Sequence, residues 1–416
     1  MYGKNNLQTD FIHVVYVSSS QFMKATAASI VSLFDNTNSK VCIHLLHDKS
    51  TTFDCKRKLL EMASKYSQQI IFYNPSEYTP DVYTELHKLS KKISWGREDL
   101  LDINFFRMTF MQVLPTSVKK AIFMDSDTII NMDIRKMWEQ PVGENGFAAV
   151  SEVEATFNHM LPKGIVEIGL VKSNEDYFCD GIFMVDMDKH RQHMNLAADG
   201  LKMLAENPKC DLFSQDIHNY YFSDKYYKLP VWCDTFTDGV RLVEGSTAEP
   251  KEAIYHYAGR AVNITSINDK FDELFFKYYC MTPFFDGSQF LRIVKDTLMV
   301  KNQIDLQFMK SIRGRKLAIA GNKDVDVKRL VDAKIFSEEV QFINIYDENT
   351  INIGRLIEFM KSNGVTDNIY IILSSNYDII SKHLNNQGFR EWKDFVDGNI
   401  MFNAPMPYTR GRIYNI

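Results

Sequence analysis

The sequence predicts an α/β protein in two parts, each built on a mostly parallel sheet. Three observations carry that prediction. Short apolar runs alternate with stretches of helical apolar spacing from Phe11 to Ile130, the pattern of successive βαβ units. The same alternation starts afresh at Lys316. A chain of 416 residues, 45% hydrophobic and 13% aromatic, exceeds one ordinary domain and carries enough apolar side chain for two cores.

The elements follow in order. FIHVVYV (11–17) reads as the first strand, and residues 21–34 have helical spacing. VCIHLL (41–46) is a second strand, CKRKLLEMASKY (55–66) a helix and QIIFYN (69–74) a third strand. A helix around 104–113 leads into KAIFMDSDTII (120–130), the fourth strand. A loop is expected over 154–176, a strand over 178–187, and helices over about 190–206 and 214–222. The stretch 229–262, rich in aromatic, glycine and polar residues, is expected to loop around a cleft. Helical spacing returns at 283–300, and 301–315 reads as a basic connector. Strands at 316–321, 340–346 and 368–375 then alternate with helices. The division is therefore 1–285, a helical connector 286–315, and a small α/β domain 316–416.

Composition narrows the function. Formal charge is −5 and the pI about 6.1; with no Lys/Arg block, nucleic acid is not an expected partner. The six cysteines are scattered without a CxxC pair, which suits neither a zinc motif nor a disulfide framework. No apolar run is long enough for a transmembrane helix, and the N-terminus lacks the features of a signal peptide. A cytoplasmic protein is expected, with peripheral contact at the inner membrane face and homo-oligomer contacts left open.

AIFMDSDTII (121–130) sets two carboxylates in an apolar run. Read as a strand, it turns Asp125 and Asp127 to one face, near the carboxyl end where such sheets keep their crevice. Burying them costs desolvation free energy, and three readings compete. The pair closes and solvates the strand end. Or it shares a hard divalent cation with open positions for phosphate oxygens, which stabilises a leaving diphosphate. Or the Asp-Ser-Asp-Thr run (125–128) resembles the nucleophile motif of haloacid dehalogenase-like phosphatases, Asp125 as nucleophile and Asp127 as acid/base. That last reading needs a further acidic pair, best supplied by Asp186 and Asp188. It also needs the motif near the domain start, whereas βα units precede it here.

Several landmarks in order resemble glycosyltransferase family 8, the retaining nucleotide-sugar enzymes that include bacterial lipopolysaccharide and capsule transferases and glycogenin. They are VVYVSSSQFMKATAASIVSL, NFFRMTF, AIFMDSDTIINMDI, FCDGIFMVDMDKHR, FSQDIHN and IYHYAGR, spread over roughly 11–285. The resemblance implies a type-A, Rossmann-like glycosyltransferase fold for 1–285. It implies Mn²⁺, or Mg²⁺, held by Asp125, Asp127 and His256. Arg107 is implied to face sugar and phosphate, and Gln215 to lie near the anomeric carbon. Asp180 and Asp216 are candidate stabilisers of positive charge developing there. Donor contacts are implied for Val17, Ser19, Gln21, Phe22, Ser126, Gly259 and Arg260.

This sequence departs from the family pattern in places. Ser19-Ser20-Gln21-Phe22 stands where Asp-Asp-Asn-Tyr is usual, though Phe22 can stack on uracil and Ser19 or Gln21 can bond its edge. Cys179 and Asp180 replace an Asn and a small residue. Val262 replaces the lysine that grips the diphosphate, leaving Arg260 as the substitute. Residues 312–416 resemble a small Rossmann-like domain appended to bacterial glycan-synthesis proteins, but the lone glycine of AIAGNK argues against a bound dinucleotide. The expected function is Mn²⁺-dependent, retaining transfer of glucose or galactose from a UDP-sugar. The acceptor is a surface glycan, a lipid-linked glycan or a glycoprotein. The alternatives are the phosphatase and a catalytically weak nucleotide- or glycan-binding module.

Overall fold

The computed structural model describes residues 11–399 apart from 94, 96, 160–162, 246, 259–266, 268, 324, 327–340 and 348–349. The chain forms two compact units with their boundary between Phe285 and Asp286.

The first unit contains strands β1 (Ile12–Ser18), β2 (Val41–His47), β3 (Gln69–Tyr73), β4 (Lys120–Met124), β5 (Thr128–Ile130), β6 (Phe147–Ser151), β7 (Phe178–Asp186), β8 (Tyr227–Lys228), β9 (Thr235–Phe236) and β10 (Ile254–His256). The main sheet runs β3-β2-β1-β4-β7-β6-β8. Only β7 runs against its neighbours β4 and β6; the other pairings are parallel. Every residue of β1 and β2 is buried, as expected of central parallel strands covered on both faces. Helix Met23–Asp35 covers one face, where Ile30, Val31 and Phe34 join Val14, Tyr16 and Ile122. Helix Leu101–Val113 covers the other, where Phe105 and Phe110 join Val15, Phe123 and Phe183. The order β3-β2-β1-β4 reverses its direction of growth at β1. The carboxyl ends of β1 and β4 therefore flank a topological switch point, where ligands of open α/β sheets bind.

The expected fourth strand, 120–130, is two strands in two sheets. β4 ends at Met124, and β5 pairs with β10 in a second sheet ordered β5-β10-β9. Asp-Ser-Asp between them favours a turn, because these short polar side chains bond nearby backbone. Other boundaries also shift. The expected loop 154–176 holds a helical turn at Gly164–Glu167 and the end of another at Glu152–Ala155, and the long helix begins only at Leu196. The stretch 229–262 is not all loop, since it supplies β9, helix Thr237–Glu244 and β10.

The second unit opens with helix Gly287–Ile312, so residues 301–312 are helical. Its strands are β11 (Lys316–Gly321), β12 (Gln341–Asn344), β13 (Tyr346–Asp347), β14 (Thr350–Ile351), β15 (Asn368–Ile372) and β16 (Phe395–Asp397). β12-β11-β15-β16 form an all-parallel sheet. One cluster joins Phe308 of the long helix to Ile319, Ile369, Ile371 and Val396. The other joins Ala318, Ala320 and Ile372 to Leu356 and Ile380 of helices Ile353–Asn363 and Tyr377–Asn386. Of the helix expected between β11 and β12, residues 323, 325 and 326 are helical, and 324 and 327–340 lie outside the described residues.

Candidate active site

The site grows from two strand ends that the topology sets side by side. β1 leads into Ser19-Ser20-Gln21-Phe22, closed by a hydrogen bond from Phe22 N to Ser19 O at 3.0 Å. β4 leads into Asp125-Ser126-Asp127. Ser126 laces the two turns: its Oγ donates to Val17 O at 3.1 Å and accepts from Thr26 Oγ1 at 2.8 Å. Val17 and Ser19 are buried, Phe22 half-buried and Gln21 exposed.

Asp125 and Asp127 do not share a strand face, since both lie in the turn after β4. They are drawn together by the two sheets they join. Asp125 N donates to Gly181 O at 2.8 Å in the main sheet, and Asp127 O accepts from Tyr257 N at 2.9 Å beside the second. His256 arrives through the same pairing, because β10 lies antiparallel to β5 with His256 opposite Thr128. Asp125, Asp127 and His256 each offer a ligand atom within 4.8 Å of the others.

His256 Nε2 lies 3.5 Å from Asp127 Oδ1, and Nδ1 lies 3.1 Å from Asp234 Oδ1. Burial alone would lower the imidazole pKa; Asp234 and Asp127 reverse this and raise it well above its ordinary value. A position that favours an imidazolium between carboxylates favours positive charge. Two carboxylates and an imidazole suit a divalent cation such as Mn²⁺, and a carboxylate on the second ring nitrogen is the usual means of orienting such a ligand. Gly181 leaves the space open: a Cβ there would stand 2.4 Å from His256 Cε1 and 3.0 Å from Asp125 Oδ2. These residues fit a metal. Gly181→Ala is expected to weaken divalent-metal binding about 10–100-fold, read by Mn²⁺ titration under electron paramagnetic resonance; unchanged affinity would refute the assigned cradle.

Arg107, from helix Leu101–Val113, bridges the turn to β7. It binds Asp125 Oδ1 through Nη2, and Asp180 Oδ1 through Nη1 at 2.7 Å. Burial pushes the Asp125 carboxyl up to about 7, the opposing pull of Arg107 notwithstanding. Burial would raise Asp180 too, but Arg107 and His218 together hold it below its ordinary value. His218 Nδ1 lies 3.1 Å from Asp180 Oδ2.

Helix Ser214–Phe222 brings Gln215 to the same place. Its amide nitrogen donates to Glu152 Oε2 at 2.6 Å, and its carbonyl lies 3.5 Å from Asp180 N. Asp216 turns elsewhere, accepting from Tyr177 OH at 2.8 Å and Leu212 N at 2.9 Å. Burial raises its pKa from 3.8 to about 6. A raised carboxyl favours the folded state most below the unfolded value, and that contribution is lost as pH rises through about 6. The loss is about 3 kcal/mol at 1.36 kcal/mol per pH unit. The Tm of Asp216→Asn relative to wild type is therefore expected to be more favourable at pH 7.5 than at pH 4.5. A pH-independent difference would sink this reading.

Sequence reasoning missed Asp234, Glu152 and His218. His218 alone had a local signal, standing three residues after Gln215 on one helix face. Gly259 and Arg260, expected at the diphosphate, lie outside the described residues, as does Val262. The acidic pair that the phosphatase reading needs is elsewhere employed. Asp186 caps the turn Met187–His190, and Asp188 is exposed and paired with Lys119 and Arg191.

The fold has known counterparts. The galactosyltransferase LgtC in complex with donor and acceptor sugar analogues has a TM-score of 0.52 at 14% identity, over 67% of this chain and 98% of that one. The WbbM bifunctional glycosyltransferase has a TM-score of 0.53 at 19% identity, over 67% of this chain and 51% of that one. The sheet is thus the type-A fold of glycosyltransferases. The family model described as "Glycosyl transferase family 8" matches residues 13–261, and the chain belongs to that family of retaining glycosyltransferases. Among relatives, probable galacturonosyltransferase-like 4 of Arabidopsis thaliana is 25% identical over 45% of this chain and 53% of its own length. General stress protein A of Bacillus subtilis (strain 168) is 22% identical over 54% of this chain and 73% of its own. The chain thus spans about half the length of the plant relative.

Proposed function

We propose that the chain transfers glucose or galactose, with retention, from a UDP-sugar to a glycan, lipid-linked glycan or glycoprotein acceptor, using Mn²⁺. The observation that carries this reading is the convergence of Asp125, Asp127 and His256 at the switch point, beside the turn after β1. Those three residues hold the cation, which supplies charge stabilisation to the leaving diphosphate. Val17, Ser19, Gln21 and Phe22 receive the nucleoside, with Phe22 against the base and Ser126 fixing the turn. Gly259 and Arg260 complete the diphosphate side in this reading.

Arg107 fixes Asp125 towards the cation and Asp180 towards the sugar. Asp180, kept ionised by Arg107 and His218, stabilises positive charge developing at the anomeric carbon. Gln215, its amide fixed by Glu152, lines the reacting face, and the leaving phosphate oxygen takes the proton of the acceptor hydroxyl on that face. Asp216 supports this helix through Tyr177 and Leu212 N. Residues 316–416 are proposed as an assembly or ligand domain. No helix among the described residues is long and apolar enough to cross a membrane.

The test is acceptor-free release of UDP from UDP-glucose, UDP-galactose and UDP-N-acetylglucosamine, with and without Mn²⁺. Slow, Mn²⁺-dependent release from one of the first two is expected. No release, together with no thermal shift by UDP, would refute donor use.

A further inference from the structure

A second group of ligating side chains lies on the main sheet, away from the site above. His13 is the second residue of β1, five before Ser18, so its backbone stands about 16 Å from the switch-point end at the ordinary rise per residue. In the parallel register His13 pairs with Cys42, and His44 follows two residues later on β2. A side-chain period of two puts Cys42 and His44 on one face, and their register partner His13 shares it. His13, Cys42 and His44 each offer a ligand atom within 4.8 Å of the others, and all are buried. His13 Nδ1 lies 3.0 Å from His44 Nε2, and His44 Nδ1 lies 3.0 Å from Tyr73 OH on β3.

We propose that His13 Nδ1, Cys42 Sγ and His44 Nε2 form a binding site for a zinc-like cation, which clamps β1 to β2. The donor set supports the choice of ion. Thiolate with imidazole selects zinc, whereas the carboxylate pair at the switch point suits Mn²⁺ or Mg²⁺. Two imidazoles and a thiol are three of the four ligands of a tetrahedral site, and a water completes it. Tyr73 OH meets the outer nitrogen of His44, the outer contact that fixes which ring nitrogen faces the ion. Uptake forms a metal–sulfur bond as the Cys42 thiol proton leaves for solvent. The proton that one ring donates to the other in the His13–His44 hydrogen bond also leaves the shared position: from His13 Nδ1 it moves to Nε2 of that ring, and from His44 Nε2 it moves to Nδ1 of that ring, which then donates to Tyr73 OH.

No CxxC spacing announces this cluster, because its ligands come from neighbouring strands rather than one loop. The alternative is a buried, hydrogen-bonded histidine pair that takes no ion, and cobalt substitution separates the two. Metal-stripped full-length protein titrated with Co²⁺ is expected to show thiolate-to-cobalt charge-transfer absorption in the near ultraviolet. Asp125, Asp127 and His256 contain no thiolate and give none. Cys179, whose Sγ lies 3.8 Å from His256 Nδ1, is the other thiol beside a candidate ligand. Cys179→Ser is therefore expected to keep the band and Cys42→Ser to lose it. A folded wild-type protein without the band overturns the site. So does a band that survives Cys42→Ser or disappears with Cys179→Ser. If Cys42→Ser does not fold, His13→Gln serves in its place. It is expected to weaken Co²⁺ binding at least tenfold, and unchanged affinity overturns the proposal.

Discussion

Replacing Asp127 with alanine is expected to reduce UDP release about 1000-fold or more while leaving the fold intact. The side chain is one of three that converge at the switch point. A divalent ion contributes several kcal/mol of charge stabilisation to a leaving diphosphate, and each 1.36 kcal/mol is tenfold in rate. The fold does not share the loss. The backbone link from Asp127 to the second sheet, its oxygen accepting from Tyr257 N, survives the change, and only the side chain's approach to His256 is lost. Removing the carboxylate also relieves Asp125 of a like-charged neighbour that helps to raise its pKa. Two readings check the result: initial rates of UDP release at saturating Mn²⁺, and the Tm. Activity within tenfold of wild type would refute the assigned metal site.

Arg107→Met is expected to damage both stability and activity. The guanidinium is 14% exposed and bridges two carboxylates from different elements. Without it, half-buried Asp125 and buried Asp180 lose the guanidinium they share, and Asp180 keeps only His218. Breaking a buried pair by removing one partner costs about 3–5 kcal/mol, a fall in Tm of roughly ten degrees for a unit of this size. Loss of Arg107 also removes the larger of the two pulls that oppose burial at Asp125, the other being His256, so its pKa rises further and less carboxylate is available near neutral pH. Arg107→Lys is expected to rescue only partly, because an ammonium lacks the fork whose two arms reach two acids. Adding Asp180→Asn to Arg107→Met should recover part of the lost Tm, measured by thermal denaturation. No recovery would mean that Arg107 acts through packing, including its position over the Phe123 ring, rather than through the carboxylates.

Local pattern made part of this legible. The apolar runs at 12–18 and 41–47 are buried along their whole length, as their composition predicts. Helix Met23–Asp35 follows its 3.6-residue spacing. The order of landmarks from β1 to β10 indicated the family, and the family match over 13–261 bears that out. The Asp-x-Asp pair was visible as an anomaly of cost, since burying two carboxylates in an apolar run costs desolvation free energy. The strand reading of that segment failed at Met124. A period of two describes a continuous strand, and nothing local says that the chain changes sheets there.

The alternation of strands and helices, the break in pattern near 285–315 and the residue types available for chemistry can all be read along the chain. These are properties of neighbours along the chain, and propensity and periodicity report on neighbours. That β4 stops beside Gly181, that β5 pairs with β10 and so seats His256, and that Asp234 backs that ring follow from the fold in three dimensions. It alone placed Arg107 between Asp125 and Asp180, and His13 beside Cys42. Each of these contacts joins residues from different elements, set by strand order and register. Register is an agreement among whole buried faces, so no single segment of the sequence contains it.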